Sequence, residues 1–204
     1  MRPVIIFSAL LASACAASRP GVAPVVKHQA PPAFDRGAAI ANIARGYVGT
    51  RRTLRRDDCS GFVETVLASV GTDLKSSTRM FWEAAVRDAR LVDGRPRPGD
   101  LAFFDFSYDA NKNGRRDDRL THIAIVTRVY ADGRIEMTHR GGSGVTFLRA
   151  HLFRRSEHRD GSLVLNDFLA HKSYAKARPR LTGALLRGFA RPPPERFTIH
   201  SPVA

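Results

Sequence analysis

The hydrophobic period of this 204-residue chain changes near Pro98, and that change constrains the fold more than any other feature. Before it, apolar residues recur every three or four positions, most clearly between Phe62 and Val70, which is the spacing of one helix face. After it, dense apolar runs alternate with turns that contain Gly and Asp, as strands do. Helices followed by strands predict an α+β domain, with N-terminal helices packed on a central antiparallel β-sheet.

The same periods predict where the elements lie. We expect helices over Asp35–Tyr47, from Cys59 to a stop at Gly71, and over Thr78–Ala89. We expect strands over Leu101–Phe106, His122–Tyr130, Arg134–His139 and Val145–Leu148, with weaker candidates at Leu163–Leu165 and Leu181–Phe189. The Asp132-Gly133 pair is the signal of a tight hairpin turn.

The N-terminus has the layout of an export signal. Arg2 is the only early charge, an apolar run follows over Val4–Leu11, and small residues come next. The apolar run is too short to span a membrane. The chain therefore divides into four expected segments: an export signal (residues 1–14), a flexible tether (15–34), a single domain (35–191) and a disordered tail (192–204).

Cys15 stands at the position of the lipidated first residue of a bacterial lipoprotein. Such signals usually carry Leu three residues before the cysteine, and Leu11 is four before it, so ordinary cleavage after Ala14 stays open. Lipidation predicts an exported, periplasmic protein that a lipid anchor holds at the membrane. Cys59, the other cysteine, would then lack an intramolecular disulfide partner; if Cys15 stays free, a bridge between them is conceivable.

The chain carries a formal net charge of +14, which favours an anionic partner. Its arginines are spread along the sequence and no aromatic residues interleave with them as in an RNA-binding sheet, so we expect no nucleic-acid binding. An anionic cell envelope is the expected partner.

Cys59 is the candidate nucleophile. Asp58 is a natural N-cap, so the thiol lies at a helix N-terminus, where the partial positive charge lowers a thiol's pKa. Asp57 and Asp58 oppose this effect, and a small buried core cysteine is an equal alternative from position alone. His122 is the candidate base, because it begins a strand and is expected to project from the sheet edge toward a neighbouring helix start.

A third polar group should orient the imidazole, and His139 is the candidate. A flat hairpin that turns at Asp132-Gly133 pairs His139 with Val126 and not with His122. We therefore expect the two histidines to meet only if the strands twist or carry a bulge.

Three motifs follow one another along the chain: Asp58-Cys59-Ser60-Gly61-Phe62-Val63, Arg97-Pro98-Gly99-Asp100-Leu101-Ala102-Phe103-Phe104 and Thr121-His122-Ile123-Ala124-Ile125-Val126. In this order they resemble the NlpC family of cell-wall cysteine peptidases, which is related to the amidase/peptidase domains called CHAP. The resemblance covers roughly residues 47–144. It implies a papain-like fold and a hydrolase of peptidoglycan stem peptides, for example of the γ-D-glutamyl–diaminopimelate bond.

The resemblance also implies roles for particular residues. Cys59 would be the nucleophile, His122 the general base and acid, and His139 the third polar residue. Substrate binding would fall to Tyr47, Asp58 and Ser60. The chain departs from the family in its basic loop before Cys59 and in the long spacing of its histidines, which is closer to CHAP domains.

The segment from Asp109 to Asp118 has the spacing of a calcium loop. The candidate ligands are the side chains of Asp109, Asn111, Asn113 and Asp117 and the backbone carbonyl of Arg115. Leu120 replaces the usual last glutamate, and basic residues inside the loop weaken cation binding, so a solvated insertion is the alternative. Bound calcium would be structural, because it would order the segment that leads into His122. The chemistry itself is expected to need no cofactor.

Three functions therefore stand side by side. The first is a cysteine endopeptidase of peptidoglycan with a Cys59–His122–His139 mechanism. The second is a CHAP-type amidase or endopeptidase with the same chemistry on another bond. The third is a catalytically silent module that binds the envelope, which an intact Cys59 and His122 disfavour.

Overall fold

A computed structural model describes residues 34–170 and 180–195. The expected export signal, Cys15 and nearly all of the tether lie outside the described residues, as does the tail beyond residue 195. Within the described ranges, no helix has both the length and the apolar character needed to cross a membrane.

Four helices are present in the described ranges: α1 (Arg36–Arg45), α2 (Cys59–Ala68), α3 (Thr78–Arg87) and the short α4 (Thr182–Leu185). The first three each begin at a side-chain cap, because Asp35, Asp58 and Ser77 accept a hydrogen bond from a backbone N–H in the first turn. These three helices are the ones that the apolar period predicts. The second ends at Ala68, before the expected stop at Gly71.

The described strands form two sheets. The larger sheet has six strands: β1 (Leu91–Val92), β2 (Leu101–Phe104), β3 (His122–Val129), β4 (Arg134–Gly141), β5 (Gly144–His151) and β8 (Leu186–Ala190). Their order in the sheet is β1-β8-β2-β3-β4-β5, and every neighbouring pair is antiparallel. A small hairpin pairs β6 (Arg159–Asp160) with β7 (Leu163–Val164).

Both faces of the large sheet are buried, which gives the domain two cores. Ile123 and Ile125 of β3 join Phe62 and Val66 of α2 on one face. Ala124 and Val126 pack on the opposite face, in a cluster with Phe104, Met137 and Phe189. Alternation along one strand thus divides the two cores. The α+β class is confirmed, and the arrangement is compatible with a papain-like fold.

The candidate strand Leu181–Phe189 is wrong in its first half. Residues Thr182–Leu185 form one helical turn, and β8 starts only at Leu186. The turn is held by contacts that no local pattern reveals: the Thr182 hydroxyl donates to the carbonyl of Arg149, and Gly183 N donates to Asn166 Oδ1. β8 then runs between β1 and β2 inside the sheet.

The expected pairing of His139 with Val126 is also wrong. Tyr130 N donates to Arg134 O, so the hairpin loop holds three residues and ends on Gly133 at φ 96°. The register shifts again at a bulge between Val126 and Arg128, and Val126 pairs with Met137. Each irregularity moves the register by one residue, and together they bring His139 two positions closer to the start of β3.

Candidate active site

Cys59 is the first residue of α2, and its thiol lies where two helices begin. Its Sγ is 3.7 Å from the hydroxyl of Thr78, the first residue of α3. The backbone of Ile123, at the start of β3, also hydrogen-bonds to the thiol. Asp58 caps α2 by accepting from Gly61 N at 2.6 Å. The predicted helix-start position of Cys59 is therefore confirmed.

An ion pair between the partly exposed Arg56 and the buried Glu64 supports this helix start. Arg56 Nη2 donates to Glu64 Oε1 at 3.0 Å, to Ser60 Oγ at 2.9 Å and to the carbonyl of Ser76 at 2.7 Å. Glu64 is only 1% exposed, and it also accepts from Ser76 N, just before α3. The pair thus joins the first turn of α2 to the start of α3, the two segments that meet at the thiol.

Gly61 allows the chain before α2 to lie against the helix. A Cβ at this position would be 2.3 Å from the carbonyl oxygen of Arg56 and 2.6 Å from its Cβ. Only glycine fits such a close approach of backbone. The Gly in the Asp-Cys-Ser-Gly segment therefore has a packing role beside the candidate nucleophile.

His122 and His139 meet in the structure. His122 Nε2 lies 2.8 Å from His139 Nδ1, and both rings are buried. We assign the proton between them to His122 Nε2. The other ring nitrogen, His122 Nδ1, is then unprotonated and can accept a proton. The hairpin register described above is what makes this contact possible. The expected condition, a bulged hairpin, is fulfilled.

Gly141 makes room for the His139 ring. A Cβ at Gly141 would lie 2.9 Å from His139 Cε1 and 3.4 Å from its Nε2. Contacts this short between heavy atoms are repulsive, so the absence of a side chain at Gly141 leaves the ring its place beside His122.

The thiol and the histidines share one end of β3, and no hydrogen bond joins them among the described residues. Among the hydrogen bonds of the described residues, Cys59 Sγ is joined to Thr78 and to the backbone, and to neither imidazole. Its bond to the backbone of Ile123, the residue after His122, places the thiol at the same end of β3 as the candidate base.

Burial governs the protonation of all three groups. It raises the pKa of the Cys59 thiol, a rise that the hydrogen bond from Thr78 opposes and the negative charge of Asp58 adds to. Burial and the neighbouring His139 hold the pKa of His122 well below its ordinary value. Burial likewise lowers the pKa of His139 to about 4. The net pKa shift of the thiol is therefore upward, with burial as its largest cause, and the position at a helix start does not by itself decide the direction.

The side chains of the three candidate substrate-binding residues already have partners within the fold. Ser60 is buried and its hydroxyl donates to Asp58 Oδ1 at 2.9 Å, so both polar groups already have partners inside the helix cap. Tyr47 follows α1, and its ring packs edge-on against Phe62 with the centroids 5.9 Å apart. The guanidinium of Arg52 lies over the tyrosine ring, 5.4 Å from the ring centroid.

A groove of about 820 Å³ borders the histidines. It is lined by His122, His139, Tyr108, Arg140 and Phe168, among others. Arg140 makes a bidentate ion pair with Asp57, two residues before Cys59, through N···O distances of 2.7 and 2.8 Å. This pair lowers the pKa of Asp57 and ties β4 to the loop before α2. Residues such as Tyr108 and Arg140 are far apart in the sequence, and no local pattern could have associated them with Cys59.

In the segment from Asp109 to Asp118, side-chain oxygens turn toward the loop's own backbone. The two oxygens of Asp109 accept from Asn113 N and Gly114 N, and Asp118 accepts from Ala110 N and Asn111 N. No group of three or more His, Cys, Asp or Glu side chains suited to a metal ion occurs in the described part of the chain. Calcium binding by Asp109, Asn111, Asn113, Arg115 and Asp117 stays a prediction.

Comparison with known proteins identifies the region that contains this geometry. Residues 49–141 match the CHAP domain. One solved structure similar to the chain is described as "The crystal structure of Ly7917"; it has 13% sequence identity, a TM-score of 0.38 and coverage of 56% of each chain. The chain thus spans little more than half of that protein. A search of curated proteins finds no match.

The CHAP match includes Cys59, His122 and His139 and ends at Gly141. CHAP domains are typically hydrolases that act on peptidoglycan, and they generally need no cofactor. The predicted relationship to CHAP domains is confirmed, and residues 49–141 are consistent with a CHAP/NlpC-related cell-wall peptidase domain. Membership of the NlpC family itself stays a prediction.

Proposed function

We propose that this chain is a peptidoglycan hydrolase that cleaves amide bonds of stem peptides with Cys59 as its nucleophile. One observation carries the proposal: within the stretch that matches the CHAP domain, a buried His122–His139 pair lies at the same strand end as a thiol that starts a helix. The γ-D-glutamyl–diaminopimelate bond is the first candidate substrate bond.

The chemistry follows from the atoms that are free. His122 Nδ1 takes the thiol proton as Cys59 Sγ attacks the scissile carbonyl carbon. His122 then donates this proton to the leaving amine as the C–N bond breaks, and an S-acyl intermediate remains on Cys59. Water then releases the acyl group with the same histidine as base. His139 acts as the orienting residue, because its Nδ1 accepts the proton on His122 Nε2. The backbone N–H of Cys59 helps to hold the oxyanion.

The resting pair is neutral in this mechanism. Burial raises the pKa of the thiol and lowers the pKa of His122, so both shifts favour thiol plus imidazole over thiolate plus imidazolium. Proton transfer therefore accompanies the attack. The 3.7 Å contact with Thr78 orients the thiol in the resting state, and the transfer requires Sγ and His122 Nδ1 within hydrogen-bond reach of each other.

A CHAP-type amidase is the second candidate, and the family match favours it specifically. It would use the same thiol and histidines on the bond between the glycan and the first residue of the stem peptide. The chain departs from the NlpC pattern in the spacing of its histidines, which supports this candidate.

We also propose that the protein acts in the periplasm after export, with a lipid anchor at Cys15 that holds it at the membrane. The basic sequence suits an anionic envelope, since its formal net charge is +14. The S-acylated or thioether-linked state of Cys15 would leave Cys59 as a free thiol.

Digestion of purified muropeptides, followed by mass spectrometry of the products, separates these candidates. The endopeptidase produces a new amino terminus inside the stem peptide, whereas the amidase separates intact stem peptide from glycan. Stable muropeptides after prolonged incubation with folded protein would refute both activities and favour the silent envelope-binding module.

A further inference from the structure

The loop between Tyr47 and Cys59 forms a cavity of about 340 Å³ together with β4 and β5. Arg51, Arg52 and Arg140 line it, with Asp57 as its single carboxylate and Leu54 and Val145 as its apolar part. Asp57, one of the lining residues, lies two residues before the candidate nucleophile Cys59. It is separate from the groove along the histidines, although Arg140 contributes to both.

The charges of this cavity do not cancel. Arg140 and Asp57 neutralise each other through their bidentate contact. Arg51 and Arg52 are exposed, and neither makes an ion pair with a carboxylate of the described residues. Arg52 instead stacks on the ring of Tyr47. Two guanidinium groups thus remain available at the cavity for an anion.

The loop that carries these arginines is anchored along its length. Gly49 N donates to the carbonyl of Val145 in β5 at 3.2 Å, and Asp57 is bound to Arg140 in β4. Between these points Leu54 packs against the core on the helix side of the sheet. Anchoring reduces the entropy that the loop would lose on binding, so the arginines are partly preorganised.

We propose that this cavity is a carboxylate subsite, in which Arg51 and Arg52 bind the free carboxylate of the stem-peptide residue next to the scissile bond. The inference rests on the proposed function and adds a specificity to it. A planar carboxylate suits the paired N–H donors of a guanidinium, and the apolar part of the cavity accepts the aliphatic portion of the residue that bears it. Glutamate with a free α-carboxylate fits both requirements.

The proposal predicts discrimination between two matched ligands. One is a stem peptide with the free α-carboxylate of D-glutamate, and the other is the same peptide with that group as its amide. In the Cys59→Ala protein, calorimetry should find the acid bound about fivefold or more tighter than the amide at low salt, with a smaller ratio at high salt. Because this protein carries no nucleophile, the measurement does not depend on hydrolysis.

When Arg51→Gln and Arg52→Gln are both added to the Cys59→Ala protein, the acid should bind more weakly. The ratio of the affinities for acid and amide should then be close to one. Arg79→Gln is the matched control, since Arg79 is exposed on α3 and lies outside this cavity. Equal binding of acid and amide by the Arg-containing protein, or an unchanged ratio in the double variant, overturns the subsite and leaves the hydrolase intact. Absence of binding by either peptide, together with absence of cleavage by wild type, overturns both proposals.

Discussion

At the scale of single residues, the pKa of the Cys59 thiol depends on burial and on neighbouring side chains as well as on its place at a helix start. Its N-terminal position favours the thiolate, but burial and Asp58 raise its pKa. The Thr78 hydroxyl is the side chain that opposes this rise. A residue nineteen positions away thus tunes the candidate nucleophile.

Replacing Thr78 by Val should make the thiol less reactive. The substitution keeps the shape of the side chain but removes the hydrogen bond to Sγ, so the pKa of Cys59 should rise further. The rate of alkylation by iodoacetamide, measured against pH, should fall severalfold near pH 8 and recover at higher pH. Thr78→Ser keeps the hydroxyl and should behave like wild type; a Val variant with the wild-type pH profile would show that the contact does not affect the thiol.

Acid should destabilise the folded protein partly through His139. Its pKa is about 4 when folded and ordinarily 6.5, so between these values the unfolded chain binds a proton that the folded one does not. Stability is therefore full above pH 6.5 and declines as the pH falls to about 4. The difference corresponds to about 3 kcal/mol at 1.36 kcal/mol per pH unit.

Urea unfolding of wild type and His139→Gln at several pH values measures this contribution. The variant should lose less stability than wild type between pH 6.5 and 4, because glutamine does not titrate. Equal losses in the two proteins would mean that His139 is protonated in the folded state, against the burial that the structure shows.

At the scale of elements, the hairpin of β3 and β4 decides whether the two histidines meet. Helix starts and the strand alternation of His122, Ala124 and Val126 are predictable, because they follow from local period and capping. The register is not, since a three-residue turn and a bulge each shift it by one residue. The sequence shows the Asp132-Gly133 turn signal but carries no comparable signal for the bulge.

Gly141→Ala should disturb this hairpin at the site. The added methyl group would lie 2.9 Å from His139 Cε1, so the ring would have to turn away from His122. We expect a loss of about tenfold or more in the rate of hydrolysis with a modest drop in melting temperature. Gly142→Ala is the matched control, because an added Cβ there has no neighbour within 4 Å. Wild-type rates in the Gly141 variant would contradict the orienting role of His139.

At the scale of the whole molecule, the order of helices and strands was sufficient to predict an α+β domain with helices packed on an antiparallel sheet. The insertion of β8 between β1 and β2 was not predictable, because it joins residues about ninety positions apart through sheet pairing alone. The candidate site shares this limit. Cys59 and His122 stand in recognisable motifs, whereas the Arg56–Glu64 pair and the arginine-lined cavity arise only from folding.

The central claim is that Cys59 and His122 hydrolyse stem-peptide amide bonds. It is tested most directly by incubating purified peptidoglycan with wild type, Cys59→Ala and His122→Gln and measuring released peptides by mass spectrometry. With all three proteins shown to be folded by thermal melting, wild type should release peptides and both variants should lose at least about a thousandfold in rate. Release by Cys59→Ala at a rate near wild type would contradict the account.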